Sequence, residues 1–430
     1  MDGFGWLLLK AVVPWFVFLQ MLPVMIWLER KGSALIADRV GPNRCFIPGL
    51  GLRMAGMVQN LADVVKLLTK EEFVPDHVNR RLYSLAPMIA LFVALVVGAV
   101  IPFTPEMVFD GGRMLRIQAI DANIGLLFVL ALSSVGVYGV TLAGWASNNK
   151  YSLMGGLRAS AQMISYELAM GLSVVGLFMV YGSTSIAKMV ELQGESWLWV
   201  LPRWGVILQP FGFVLFLIGG FAETNRNPFD LAEGESEIVG FHVEYGSIKF
   251  ALFYMAEYVH IVVISLLIAS CYFGGYQVPF VSTARLADPG VAALTTKVLL
   301  WLVILVGAAI GLQLVKWHTR NRKVWKDSRR NEGLVLAFLL GFAPALTAFL
   351  ALMIWGGAYS ANGAAVFGGV VGFLTLMVKA LFFCWLFVWV RWTLPRFRYD
   401  QLMALGWKFL VPIGLVNILV TGCLVKLGVW

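Results

Sequence analysis

The chain has 430 residues, of which 60% are hydrophobic and 13% charged, with a mean hydropathy of +0.81 and a formal net charge of +9. This composition excludes an ordinary soluble domain, because apolar runs of about 20 residues recur throughout and each is long enough to cross a bilayer. We therefore predict an all-α polytopic membrane protein, and we interpret the positive charge as a signal of topology rather than of nucleic-acid binding.

Short motifs for metals, nucleotides and redox centres are missing from the sequence. The four cysteines are scattered and form no CxxC pair, and there is no HExxH, no phosphate-binding GxxxxGK[ST] and no Gly-rich dinucleotide loop. The sequence therefore predicts no metal site, no catalytic redox centre and no cofactor bound by this chain.

About ten membrane spans are predicted from the apolar runs. In chain order they cover residues 4–28, 85–103, 120–142, 161–181, 211–222, 250–272, 297–315, 334–355, 367–390 and 409–427. We expect Pro14 and Pro23 to bend the first span. That span lacks the basic start and cleavage site of a signal peptide, so we expect it to be retained.

The basic loops indicate the orientation of these spans. Loop 29–81, the run KWHTRNRKVWKDSRRN and the segment around Arg391, Arg396 and Arg398 all fall on one side of a ten-span chain. By the positive-inside rule that side is cytoplasmic, which places the N-terminus on the periplasmic side of a bacterial inner membrane. Within loop 29–81, residues 53–69 carry apolar residues at helical spacing, which predicts an amphipathic helix at the cytoplasmic interface.

An acidic stretch, residues 221–250, lies between the fifth and sixth spans. Its carboxylates are Glu223, Asp230, Glu233, Glu235, Glu237 and Glu244, and Arg226 is its main basic residue. A carboxyl group at the end of a span is costly and usually faces a polar cavity on an ion or proton path. The alternative interpretation is a solvated acidic loop.

Three further groups of charged residues are candidates for chemistry. Glu29 and Arg30 end the first span and Arg39 follows, although such residues can simply extend to the membrane interface. Asp63 stands three residues before Lys66, a spacing also typical of a surface ion pair. Glu167 lies in mid-span, where a lone carboxylate is a functional hypothesis by default.

The remaining charged positions have simpler interpretations. Glu257 and Lys379 lie within predicted spans and could form a buried ion pair. We expect His77, His242 and His318 to be solvated loop residues rather than ligands.

At several of these motifs the chain resembles the membrane-embedded H-type component of the proton-pumping NADH:quinone oxidoreductase, respiratory complex I, which is the counterpart of mitochondrial NADH dehydrogenase subunit 1. The similar stretches occur in the family's order and cover about residues 1–280 and 365–430. They are WLERKGSALIADRVGPNR, LADVVKLLTKEEFVPD, GWASNNKYSLMGGLRASAQMISYELAMGL, ETNRNPFDLAEGESEIVGFHVEYGSIKFALFYMAEY and WVRWTLPRFRYDQLMALGWKFLVP.

The resemblance implies a membrane subunit that encloses part of a quinone chamber. Quinone is the implied substrate, and FMN and iron–sulfur clusters belong to partner subunits. The implied partners are peripheral subunits at the quinone site together with small and antiporter-like membrane subunits. The positions implied for the quinone passage are Glu29, Arg30 and Arg39. Those implied for the start of the proton path are Asp63, Glu167, Glu223, Glu233, Glu235 and Glu237.

One segment departs from the family pattern of eight spans. The spans at 297–315 and 334–355 are additional, so we divide the chain into a family core (1–285), an inserted helix pair (286–360) and a C-terminal part of the core (361–430). Three other hypotheses stay open: the equivalent subunit of a membrane-bound hydrogenase-type complex, a stand-alone ion or proton transporter, and a passive membrane anchor.

Overall fold

A computed structural model describes residues 3–46, 54–109, 113–197, 201–234, 237–279, 286, 288–322, 332–354 and 359–428. In these ranges the chain is almost entirely helical, and its four strands form two short antiparallel hairpins. The predicted all-α membrane class is confirmed.

The helices before the acidic stretch are α1 (Gly3–Ile36), α2 (Val58–Thr69), α3 (Arg80–Val97), α4 (Gly125–Ala146), α5 (Lys150–Tyr181), α6 (Ile186–Leu192), α7 (Gly205–Leu208) and α8 (Pro210–Glu223). Those after it are α9 (Ser247–Tyr272), α10 (Pro289–Asn321), α11 (Glu332–Ala337), α12 (Ala343–Ile354), α13 (Ala361–Thr393), α14 (Tyr399–Ala404) and α15 (Val411–Lys426). The hairpins pair β1 (Met107–Phe109) with β2 (Arg113–Leu115), and β3 (Ser196–Trp197) with β4 (Leu201–Pro202).

Nine helical segments in the described part of the chain are long and apolar enough to cross a membrane. Two of them join short helices through π-helical turns, Phe338–Phe342 between α11 and α12 and Leu405–Leu410 between α14 and α15. The remaining predicted span, 211–222, is the fifth along the chain and corresponds to α8. This helix has 14 residues and is only about 21 Å long. It is preceded by the single turn α7, and the backbone leaves the helical region at Gln209 between them.

Two helices extend further than the apolar pattern predicts. Helix α1 continues to Ile36, so Glu29 lies on a helix and not in a loop. Helix α5 begins at Lys150, because the Asn149 side chain accepts a hydrogen bond from the backbone N–H of Tyr151 and caps it. Most of the segment between the predicted spans 120–142 and 161–181 is therefore helical.

The amphipathic helix is confirmed as α2, although it starts at Val58 rather than at residue 53. Its apolar face is exposed, as expected for a helix at a membrane interface; that face carries Leu61, Val64, Val65 and Leu68. The C-terminal end of α2 is fastened to the start of α9. The Ser247 hydroxyl donates to the carbonyls of Leu67 (3.0 Å) and Lys70 (2.8 Å).

Helix α9 lies at the centre of the bundle. In the most apolar window of each helix, 67% of the residues are buried for α9 but only 11% for α10. Helix α9 packs against α1, α3, α8 and α13, whereas α10 packs mainly against α11 and α12. The polar residues that α9 carries are therefore enclosed by the rest of the chain.

Candidate site in the charged interior

The first part of the acidic stretch folds inward and is held by side-chain amides. On α5, Gln162 Nε2 donates to the carbonyls of Ala222 and Phe229, both at 2.8 Å. Asn227 Nδ2 donates to the carbonyls of Arg391 and Leu394 at the end of α13, both at 2.9 Å. These bonds satisfy backbone carbonyls and fix the segment between α5 and α13.

Arg226 is the basic centre of this segment, and its side chain is only 5% exposed. Its guanidinium lies over the ring of Tyr258, 4.5 Å from the centroid. Nη1 lies 3.4 Å from both carboxylate oxygens of Glu29, and Nη2 lies 3.7 Å from Glu257 Oε2. A charge this deeply buried is tolerated because it is paired with carboxylates and stacked on an aromatic face.

Glu29 connects three parts of the chain at this point. Its carboxylate accepts a hydrogen bond from the Tyr258 hydroxyl on α9 (2.6 Å) and forms ion pairs with Arg226 and with Arg391 at the end of α13. The Tyr258 hydroxyl is also 3.1 Å from that of Tyr254. Glu29 therefore belongs to a shared network of charged and phenolic groups.

This network surrounds a polar cavity of about 170 Å³, which we call the large cavity because it is the larger of the two cavities beside α9. Its lining residues are Glu29, Arg226, Glu233, His242, Phe250, Phe253, Tyr254, Glu257 and Arg391. A polar cavity of this size has room for several ordered waters.

Two carboxyl groups meet at the large cavity. Glu233 and Glu257 both line it, so their negative charges would repel each other, and one proton shared by the pair relieves that repulsion. Burial disfavours the charged form of Glu233, but its interaction with Glu257 and the nearby basic groups lower its pKa overall. The pair can therefore hold one proton that is exchangeable with the cavity.

Asp230 lies beside this cluster and binds the segment after α13. Its Oδ2 accepts a hydrogen bond from Arg396 Nη2 at 2.5 Å. Burial raises the pKa of Asp230 to about 6, and the charge of Glu233 adds to the shift while Arg396 opposes it. This carboxyl group titrates just below neutral pH.

A second cavity, of about 40 Å³, lies deeper along α9, and we call it the small cavity. Glu223, Asn225, Glu257 and His260 line it among apolar side chains. Glu223 is 7% exposed, and its Oε1 lies 3.1 Å from His260 Nε2. Its Oε2 is buried and has no hydrogen-bond partner in the described ranges. Glu257 and Phe253 line both cavities.

Glu167 continues the row of acidic groups across α5 and α4. It accepts a hydrogen bond from the Ser134 hydroxyl on α4 and lies close enough to Glu223 for their charges to interact. The predicted path residues Glu167, Glu223 and Glu233 thus follow one another through the interior.

The other predicted site residues lie nearer the surface. Arg30 forms an ion pair with Asp63, which also accepts a hydrogen bond from Gln59 Nε2 at 3.2 Å. Arg39 is exposed and donates to the Ser33 hydroxyl at 3.3 Å. Glu237 pairs with Arg158 on α5 at 2.7 Å, with both side chains partly exposed. Glu235 lies outside the described residues.

The two predicted sets are therefore interleaved. Glu29, assigned to the quinone passage, shares the large cavity with Glu233, which was assigned to the proton path. Arg30 and Asp63, one from each set, form an ion pair with each other. Sequence position alone separated groups that the fold brings together.

Several residues of the interior were missed or assigned wrongly. His77 is exposed in a turn, and His242 is partly exposed in a turn at the large cavity. His318 lies on α10 and is 3% exposed, so the expectation of a solvated loop residue is wrong for His318. Glu257 pairs with Arg226 rather than with Lys379, whose ammonium donates instead to three backbone carbonyls at 2.7–2.8 Å. The roles of Arg226, Tyr258, Arg391 and His260 were not predicted, and only the one-turn spacing of Glu257 and His260 pointed to any of them.

Comparison with known proteins confirms the family resemblance. The family model described as NADH dehydrogenase matches residues 9–326 and 334–422. Among curated proteins, the H-type subunit of the NADH-quinone oxidoreductase of Bdellovibrio bacteriovorus is 39% identical over 443 residues, covering 98% of this chain and 96% of that protein. Subunit 8 of the Rhodothermus marinus enzyme is 40% identical over 407 residues, covering 94% and 92% respectively. An H-type subunit of Solibacter usitatus is 41% identical over 425 residues, covering 97% and 96%.

These matches also run through most of the segment that the sequence resemblance left uncovered. The family model includes the whole of α10 and resumes at residue 334, near the start of α11. The three relatives align over more than nine-tenths of both chains. The helix pair is therefore part of what this chain shares with them.

Proposed function

Because this chain belongs to the NADH dehydrogenase family, we propose that it is the H-type membrane subunit of a proton-pumping NADH-quinone oxidoreductase. Quinone is its substrate, and the chain forms part of the quinone chamber. The FMN and iron–sulfur clusters that deliver electrons belong to partner subunits. Its partners are the peripheral subunits at the quinone site and the small and antiporter-like membrane subunits.

The observation that carries this proposal is the charged interior itself. A membrane protein that served only as an anchor would gain nothing from enclosing Glu29, Arg226, Glu233 and Glu257 around a polar cavity, since intramembrane charges are costly. Such groups are useful where a reaction consumes protons or changes local charge. The family match supports this function over a hydrogenase-type complex or a stand-alone transporter.

The quinone passage in this proposal runs past the end of α1, where Glu29, Arg30 and Arg39 lie. Reduction of a quinone to a quinol takes up two electrons and two protons. A nearby carboxyl group that donates one of those protons becomes a carboxylate, and its negative charge raises the proton affinity of the acidic groups around it. The ion pairs of Glu29 with Arg226 and Arg391 connect that change to the acidic stretch and to α13.

The proton path in this proposal starts at the acidic stretch. Its members are Asp63, Glu167, Glu223, Glu233, Glu235 and Glu237. Two interactions between carboxyl groups in the interior support this path. Glu233 interacts with Glu257, and Glu223 interacts with Glu167. A change in the charge of one carboxyl group biases the protonation of the next.

The protein is a multi-pass membrane protein, and we place it in a bacterial inner membrane with its N-terminus on the periplasmic side. This orientation puts the large cavity and the basic segment around Arg396 on the cytoplasmic side, where a peripheral arm would dock. The two spans formed by α10 and by α11 with α12 make up the lateral part of the subunit.

The test is affinity purification of the chain in a gentle detergent, followed by assays for iron–sulfur signals and for inhibitor-sensitive NADH:quinone reductase activity. Co-purification of peripheral subunits with that activity supports the proposal. Hydrogenase activity with the clusters favours the hydrogenase-type complex, and a chain that emerges alone after verified gentle extraction favours a transporter. In the purified complex, Glu223→Gln should impair coupled quinone reduction without preventing assembly, and normal coupled activity would remove Glu223 from the path.

A further inference from the structure

His260 occupies a gap in the row of carboxyl groups. Glu257 borders the large cavity, and Glu223 lies beyond it toward Glu167. The structure gives no direct hydrogen bond between Glu257 and Glu223 within the described residues. A proton moving from the first carboxyl group to the second needs a carrier between them.

The contacts of His260 place it at that gap. Its Nε2 lies 3.1 Å from Glu223 Oε1, within hydrogen-bond distance. It follows Glu257 by one turn of α9, so the two side chains are neighbours on the same helix face. All three residues line the small cavity. The second ring nitrogen, Nδ1, is the one that can accept a proton when Nε2 donates to Glu223.

The geometry points to His260 as the proton-relay residue between Glu257 and Glu223, an inference that rests on the proposed function and adds a carrier to its path. An imidazole suits this position because one nitrogen can accept a proton while the other donates one. The carboxyl groups that face it are Glu223 at the end of α8 and Glu257 on α9 itself. Both belong to the network described above.

The step transfers one proton, and no electrons, from Glu257 to Glu223. The O–H bond of protonated Glu257 breaks and an N–H bond forms at Nδ1 of His260, directly or through a water in the small cavity. The N–H bond at Nε2 then breaks and an O–H bond forms at Glu223 Oε1. The ring is left neutral with its proton on Nδ1. Loss of that proton to water in the small cavity and uptake of one from water at Nε2 restore the starting tautomer.

The experiment uses the whole complex reconstituted in proteoliposomes with His260→Gln. The amide of Gln can still donate to Glu223 but cannot carry a proton, so assembly and NADH oxidation by an artificial acceptor should stay at wild-type rates. Quinone reduction and the protons pumped per NADH should fall by about tenfold or more. His318→Gln is the matched control, because His318 is also buried but lies on the peripheral helix α10. It should leave both quantities unchanged.

The double variant with Glu223→Gln separates relay from structural support. If the two residues act in series, the double variant should pump protons no more slowly than the slower single variant. If the two substitutions damage the structure independently, their losses of activity should add. If His260→Gln pumps normally while Glu223→Gln does not, the relay role is overturned and the proposed path survives without it. If both variants pump normally, the proposed path itself is wrong.

Should His260→Gln fail to assemble, difference infrared spectroscopy of the wild-type complex during turnover decides. A protonated imidazole signal that is absent from His260→Asn supports the relay. Its absence from the wild-type complex overturns it.

Discussion

Helices α9 and α10 are both long enough to cross a membrane and both strongly apolar, yet they occupy opposite environments. The mean hydropathy of the best window is 2.0 for α9 and 2.6 for α10, while 67% of the first and 11% of the second is buried. The more apolar helix is therefore the more exposed one. In a bilayer, apolar surface gains little from burial in protein, so polar groups decide which helix is enclosed.

The two regions are also held together differently. Around α9, ion pairs and hydrogen bonds join α1, α8 and α13 through Glu29, Arg226 and Arg391. In the α10–α12 pair, small residues allow close approach, since a Cβ on Gly341 would collide with the Cα of Gly311. The first region depends on charge compensation and the second on shape.

The largest effect is expected from Arg226→Met. Removing this guanidinium leaves Glu29 and Glu257 buried with less compensation, which costs about 3–5 kcal/mol of stability. Thermal unfolding of the purified complex and its quinone reductase activity measure this loss. Arg203→Met is the control, because its ion pair with Glu195 is much more exposed and contributes less than about 1 kcal/mol. Equal stability of the two variants would contradict the central role of charge compensation.

A pair of glycine variants tests the two packing modes against each other. A Cβ on Gly155 of α5 would lie 2.7 Å from the backbone of Gly240 in the acidic stretch, so Gly155→Ala should displace that stretch and lower coupled activity. The expected destabilisation is about 1–3 kcal/mol. A Cβ on Gly341 would lie 2.4 Å from the Cα of Gly311, but Gly341→Ala disturbs only the packing of α10 against α11 and α12. This variant should preserve activity and increase the protease sensitivity of these helices.

Gly171→Ala is the control for both variants, because a Cβ there meets nothing within 4 Å. It should behave as wild type. A loss of activity in Gly341→Ala equal to that in Gly155→Ala would show that the peripheral pair acts on the site.

The pH dependence of stability should change in Asp230→Asn. The pKa of Asp230 is about 6 in the fold, against 3.8 ordinarily, so the native state binds this proton more tightly than the unfolded chain does. Its contribution to stability therefore grows as the pH falls from about 7 toward 4. We expect the variant to be more stable than wild type at pH 7.5, by about 1–2 kcal/mol, and the difference to narrow below pH 6 and to close as the pH falls toward 4. Melting temperatures across this range check the sign, and a difference that widened on acidification would refute it.

The smallest effect is expected from Arg158→Gln. Its ion pair with Glu237 is partly exposed, so its loss should cost less than about 1 kcal/mol and should matter less at high salt. Quinone reductase activity at low and high ionic strength measures it. A large loss that persists in high salt would show that Glu237 depends on Arg158 for more than surface pairing.

Much of the fold could be predicted because the bilayer imposes a simple rule on sequence. Spans at 85–103 and 250–272 correspond to α3 and α9, since about 20 apolar residues are both necessary and visible. The boundaries of α1 and α5 were missed because helices continue beyond the apolar core, where caps such as Asn149 set their ends. The short α8 could not be distinguished from a full span, since the break at Gln209 is a matter of backbone angles.

The candidate site was predicted in part. Acidic residues in apolar surroundings, such as Glu167 and Glu223, were conspicuous because their cost in a membrane demands a reason. Arg226 and Arg391 were recognisable as basic residues, but their partner Glu29 is 197 residues from the first and 362 from the second. No periodicity spans such distances, so the sequence did not reveal the ion pairs.

The sequence by itself determined the membrane class, the approximate spans, the family and most of the acidic positions, because hydropathy and motifs are local properties. Only the tertiary structure decided which charges meet. It placed Glu29 beside Arg226, separated Lys379 from Glu257, and brought His260 to Glu223. Electrostatic interactions and hydrogen bonds depend on distances of a few ångströms, and those distances exist only after the helices have packed.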